Sequence, residues 1–365
     1  AARSSGWERA SASVNPLDPG DLHHALQRLE GEARKDLTDY YNDTRAALME
    51  VLLTIMRTGR ENDTDAGAKG VTARESDILS VAVRVLHDRH GGDPQPPVIA
   101  DLRDLLREGP DEVRTAAVWD DPENDELYRA QVRGLLADLH GFSNRMTKFG
   151  RLFGDQTTAR IDLSRPVDFD ISALAQSGDD VVAAVLATTW TSAFAAKNAA
   201  DVLAEEGLQP RRNHVIIMDE MHRALRASPL MVEKLDLLTR LNRQWGVGQI
   251  MITHTFKDLM CMETPAQNTK ARGFVERSEI KVLGALSRIE VDRYLRGECG
   301  LPVSRREEDM LEDWATPVNF GSDASHKGLG RFLIKLGGLP GIPINVEMCP
   351  LEKSGFNDTN LKWHA

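Results

Sequence analysis

His214-Val215-Ile216-Ile217-Met218-Asp219-Glu220 decides the fold class of this chain. Its apolar run, rich in β-branched residues, reads as a buried strand of a parallel sheet. Gln249-Ile250-Met251-Ile252-Thr253-His254 has the same character. Between the two runs, Met231, Leu235, Leu238 and Leu241 recur on one face of a helix. The first strand ends in two carboxylates, the second in a hydroxyl and an imidazole. Ligands of open α/β sheets bind at the carboxyl ends of strands, so these tips are the first candidates for a site.

The alternation continues outward from this pair. Upstream, Arg165 to Ile171 reads as a short strand, and Asp179 to Glu206 as a long Ala-rich helix with Gly207 just past its end, where a C-terminal glycine is expected. Downstream, helices are expected at 255–262, 288–296 and 304–314, and strands at 280–283, 330–336 and 344–348, the last two at a sheet edge. The expected fold is α/β: a mainly parallel sheet with helices on both faces. Residues 21–151 differ. Leu22, Ala25, Leu26 and Leu29 recur at helical spacing, as do Leu48, Leu52, Ile55 and Met56, then Ile78, Val81, Val85 and Leu86, and Val132, Leu135, Leu136 and Leu139. Thr72-Ala73-Arg74-Glu75 has capping-box spacing. This stretch reads as an all-α insertion, and Asp120-Asp121-Pro122-Glu123 within it as a solvated loop. The expected organisation is a Pro- and Gly-rich connection over 1–20, the insertion over 21–151 and the α/β core over 152–365.

A net charge of -11 argues against a chain that coats nucleic acid over its whole surface. Cys261, Cys299 and Cys349 lack C-x-x-C spacing and cannot all pair, which suits a reducing compartment. The sequence contains no signal peptide and no apolar run of membrane-spanning length. It opens Ala1-Ala2-Arg3 without Met and reads as part of a longer protein.

The tips suggest an NTP-hydrolysing site of the Walker B and sensor type. Asp219 is the candidate Mg²⁺ ligand, and Glu220 the carboxylate that positions and deprotonates the attacking water. The same two acids also suit the first turn of a following helix. Thr253 and His254 are sensor candidates, with a strand cap as the plainer reading. Arg243 is a candidate arginine finger acting in a neighbouring subunit's site, whereas Arg240 suits a helix C-terminus. Lys335, beside the turn-rich Gly337-Gly338-Leu339-Pro340-Gly341, could reach a phosphate, although an exposed strand lysine is the commoner case. No G-x-x-x-x-G-K-[ST] loop to cradle phosphates occurs in the 365 residues.

The order of motifs resembles the type IV secretion and conjugation ATPases of the VirB-four/TraC type, in the HerA/FtsK group of RecA-fold motors. Asn15-Pro16-Leu17-Asp18 is similar to an element that follows the first βα unit there. After it come the helical insertion, a short strand at Asp170-Ile171-Ser172, the Walker B strand, R-x-x-R-x-x-G from Arg240 to Gly246, and the sensor strand. Phe274-Val275-Glu276-Arg277, Gly337 to Pro343 and Asp358-Thr359-Asn360 resemble the actinobacterial branch. The resemblance implies ATP and Mg²⁺ as cofactors, hexamers of this chain, and a cytoplasmic location at the inner face of the cell membrane. It implies inner-membrane channel components and DNA as partners. It assigns Asp219 and Glu220 to Walker B and Arg243 to the trans finger. The sequence departs from the family at His254, where Gln is common, and in lacking the Walker A strand and loop, so the chain alone is expected to be inactive. Two alternatives stay open: a non-hydrolysing ATPase-like assembly module, and a helicase, since Asp219-Glu220-Met221-His222 fits a D-E-x-H box. The helicase reading needs a downstream Q-x-x-G-R-x-x-R motif, which does not occur.

Overall fold

The computed structural model describes residues 13–58, 70–90, 93, 95–119, 121–158, 161, 165–171, 174, 177–222, 225, 232, 235–236, 239, 246–260, 264–317 and 327–350. It is α/β and divides into two compact units, Ala1–Met231 with Asn242–Met251, and Val232–Leu241 with Ile252–Ala365.

The first unit is mostly helical. Its helices are α1 (Asp21–Arg28), α2 (Gly31–Thr58), α3 (Ala73–His90), α4 (Ile99–Glu108), α5 (Asp111–Ala117), α6 (Asp125–Ser143), α7 (Gly150–Phe153) and α8 (Asp179–Glu205). Three of the apolar stripes read from the sequence share one core, in which Leu48, Leu52 and Ile55 of α2, Ile78 and Leu86 of α3, and Leu135 and Leu139 of α6 are buried, whereas Leu22, Ala25, Leu26 and Leu29 of the α1 stripe pack in a second cluster with Ala199 and Leu203 of α8. The capping box forms, with Thr72 N–H donating to Glu75 Oε2 at 2.8 Å and Glu75 N–H to Thr72 Oγ1 at 3.3 Å. Gly207 closes α8 at φ +69°. The Leu208 amide bonds the Leu203 carbonyl and the Gly207 amide bonds Ala204, a Schellman ending. Arg57 anchors the layer between Glu75 (2.6 Å) and Asp138 (2.8 Å).

Two expectations are corrected here. The boundary near 151 does not divide the molecule: α8 contributes Val181 to Ala187 to the core built by α2–α6, so the helical region and the long helix form one body. Residues 165–171 form no strand. Pro166 has no amide to donate, and of this stretch Ile171 packs against the core. The Asn15-Pro16-Leu17-Asp18 turn is buried within the same unit. Asn15 Oδ1 accepts from Leu17 N–H at 3.0 Å, its Nδ2 donates to the Pro97 carbonyl at 2.9 Å, and Tyr41 Oη donates to the Leu17 carbonyl at 2.5 Å.

After α8 the chain enters β1 (His214–Met218), which pairs in parallel with β2 (Val247–Met251) from His214↔Val247 to Met218↔Met251. Gly246, the last glycine of the R-x-x-R-x-x-G stretch, sits at φ +62°. A Cβ there would lie 2.7 Å from Asn213 Oδ1, so this entry to β2 requires glycine.

In the second unit, α9 (Phe256–Met260) and α10 (Pro265–Arg277) precede β3 (Ile280–Leu283), a π-helix (Glu290–Glu298), α11 (Arg305–Trp314), β4 (Arg331–Leu336) and β5 (Ile342–Asn345). β3, β4 and β5 form an antiparallel sheet in that order. Residues 337–341 join β4 to β5, and a parallel return would need a crossover of a dozen residues or more. The core beneath it is Leu283, Val291, Leu295, Leu301, Leu311, Trp314 and Leu333. Among the described residues no helix is long and apolar enough to cross a membrane.

Candidate functional site

The carboxylate pair sits where the first strand stops. Met218 and Met221 are each 1% exposed and pin the chain on both sides of it. Asp219, between them, is exposed and Glu220 is half-buried. The turn is made by Glu220 itself, at φ +53°, the one described non-glycine residue in the left-handed region. That conformation costs an L-residue such as Glu on the order of 1 kcal/mol or more. Two contacts offset it. The Glu220 amide donates to Asp219 Oδ1 at 3.0 Å. Glu220 Oε2 lies 3.6 Å from Nε2 of His222, which is 8% exposed. Backbone held against its preference at the end of a parallel strand is a recurrent mark of functional sites.

The register pairs Met218 with Met251, so the two strands end level. Thr253 follows β2 by two residues. It is half-buried, and its hydroxyl donates to the Thr255 carbonyl at 3.4 Å. His254 is exposed. Thr255 then caps α9, accepting from the Asp258 amide at 3.2 Å. Thr253 and His254 therefore lie in the short loop between β2 and a helix. Arg240 and Arg243 lie outside the described residues, as do Cys261 and Asp358-Thr359-Asn360.

Lys335 is placed differently from either sequence reading. It is neither exposed nor free to reach a phosphate: its side chain is 1% exposed and Nζ is 2.9 Å from Glu307 Oε1. The same oxygen accepts from the Gly341 amide at 2.5 Å, while Oε2 accepts from Ser304 N–H at 2.7 Å. Burial pushes the Glu307 carboxyl up, but Lys335, the Ser304 and Gly341 amides and the Ser304 hydroxyl outweigh it and bring it down to about 2. Glu307 thus ties the start of α11 to β4 and to the turn before β5. Sequence reading missed it, although Ser304-x-x-Glu307 has the capping-box spacing that could have marked its position.

Among the described residues no three His, Cys, Asp or Glu side chains converge on a metal. Magnesium commonly takes one or two carboxylates, waters and substrate phosphates. The exposed carboxylate of Asp219 fits that role; the buried ammonium of Lys335 does not fit a phosphate cradle.

No protein-family model and no curated protein matches the chain in sequence. In three dimensions it is similar to VirB4 of Thermoanaerobacter pseudethanolicus, with a TM-score of 0.59 and 17% identity over 95% of this chain and 77% of that one. The fold of this chain is therefore VirB4-like, an α/β arrangement shared at low sequence identity.

Proposed function

We propose that this chain is the ATPase-core part of a motor that energises conjugative DNA transfer or type IV secretion by hydrolysing Mg-ATP. The observation that carries the reading is the Asp219–Glu220 turn, with an exposed Asp219 and a half-buried Glu220 set between two buried methionines at the end of a parallel strand. The VirB4-like fold supports it. Asp219 holds Mg²⁺, which when bound neutralises phosphate charge. Glu220 orients the attacking water and takes its proton, and Thr253 and His254 keep their reading as sensor candidates. The 365 residues contain no G-x-x-x-x-G-K-[ST] loop, so this reading requires a phosphate loop supplied from outside them. Arg243 serves the neighbouring subunit of a hexamer, and channel components at the inner membrane and DNA are the partners.

The test is phosphate release by the protein carrying its upstream residues. Glu220→Gln lowers turnover about 10²-fold or more and leaves ATP binding intact. Turnover unchanged in that variant removes Glu220 from its role. Arg243→Ala lowers turnover about 10³-fold and regains activity when mixed with Glu220→Gln subunits. Full activity of Arg243→Ala alone rules out the finger.

A further inference from the structure

We infer that His222 is a positioning residue for Glu220: its imidazole holds carboxylate oxygen Oε2 and so aims Oε1 at the attacking water. The inference rests on the ATPase reading above and adds a residue to it.

Three observations converge. First, His222 is 8% exposed and follows Met221 at 1%, so the imidazole is fixed by packing rather than left on the surface. Second, Nε2 stands 3.6 Å from Glu220 Oε2. That is side-chain contact looser than a hydrogen bond, and catalytic contacts are commonly long before substrate binds. Third, Glu220 is left-handed at φ +53°. A glutamate has no intrinsic reason to adopt that conformation. The turn brings its carboxylate back toward the residue two positions on, which is where His222 lies. The hydrogen bond donated by the Glu220 amide to Asp219 Oδ1 fixes the backbone of the turn, and His222 fixes its side chain. Because a carboxylate has two oxygens, engaging one orients the other, and a misplacement of about 1 Å in such a group can cost about 10²-fold in rate.

The experiment compares His222→Ala with His222→Gln, whose amide nitrogen can still donate to Oε2. In the protein with its upstream residues, we expect Ala to lower kcat about tenfold or more with KM unchanged, and Gln to retain kcat within about threefold. In the 365-residue chain without ligand, the Tm losses of His222→Ala and Glu220→Gln should be non-additive in the double variant, as for two groups in contact. Wild-type kcat in His222→Ala overturns the inference. So does Gln as impaired as Ala, or an additive double variant. A wild-type protein that hydrolyses no ATP overturns the ATPase reading and this inference with it, and is told apart from the other outcomes by the wild-type control.

Discussion

The helical layer and the two-stranded sheet of the first unit use similar apolar residues in opposite ways. In α2, Leu48, Leu52, Leu53 and Ile55 are buried. In β1, Val215 is 68% and Ile217 63% exposed, and Ile250 beside them in β2 is also open. The difference lies in what each element satisfies by itself. A helix makes its backbone hydrogen bonds internally and presents one apolar stripe, so a few helices close a core among themselves. A strand bonds only to neighbours and sends alternate side chains to opposite faces, so it needs cover twice over. The helical layer is therefore the stability centre of its unit, and the sheet is a mount whose tip carries the acids.

The largest expected effect sharpens that contrast. Glu220→Gln should lower turnover about 10²-fold or more while lowering Tm only slightly, measured by phosphate release and thermal melting. A large loss of stability would make the tip structural. Next, in the second unit, Lys335→Met leaves Glu307 buried without its cation and should cost about 3–5 kcal/mol by urea titration. Its pH signature follows from the depressed Glu307 carboxyl. The folded value of about 2 lies below the unfolded one near 4.3, so the unfolded chain binds more protons between them. The stabilisation is fully present above the unfolded value and drains away as pH falls toward 2. Without Lys335 that slope should flatten. Below this, Leu52→Ala should cost about 3 kcal/mol, the usual range for a buried leucine. Smallest of all, Val215→Ala should cost about 0.5 kcal/mol. Equal losses in these last two variants would break the comparison, because the open strand face would then be behaving as core.

Legibility followed the range of the interaction. Helix stripes, the Thr72–Glu75 box and the glycine after α8 are local patterns, set by neighbours three or four residues away, and the structure contains them where the spacing puts them. The parallel pair was readable from two apolar runs, but the burial expected of them was not, since Val215, Ile217 and Ile250 lie on an open face. Residues 165–171 alternate like a strand, but alternation carries no information about a partner, and Pro166 withholds a donor. The expected strand 344–348 forms two residues earlier, as β5, where Ile342 and Ile344 pair with β4. The expected helix at 288–296 is a π-helix at Glu290–Glu298. Lys335 looked exposed because its partner, Glu307, stands 28 positions away.

By itself the sequence determined the α/β class, the helical stretch before it, and the presence of two acids where an apolar strand stops, since each is encoded in the order of adjacent residues. Tertiary structure alone decided that α8 shares a core with α2, that the last three strands run antiparallel, that Lys335 is buried on Glu307, and that Glu220 turns left-handed toward His222. Those outcomes depend on which distant surfaces meet and on how packing offsets a locally unfavourable backbone, and neither quantity is written in any short window of residues.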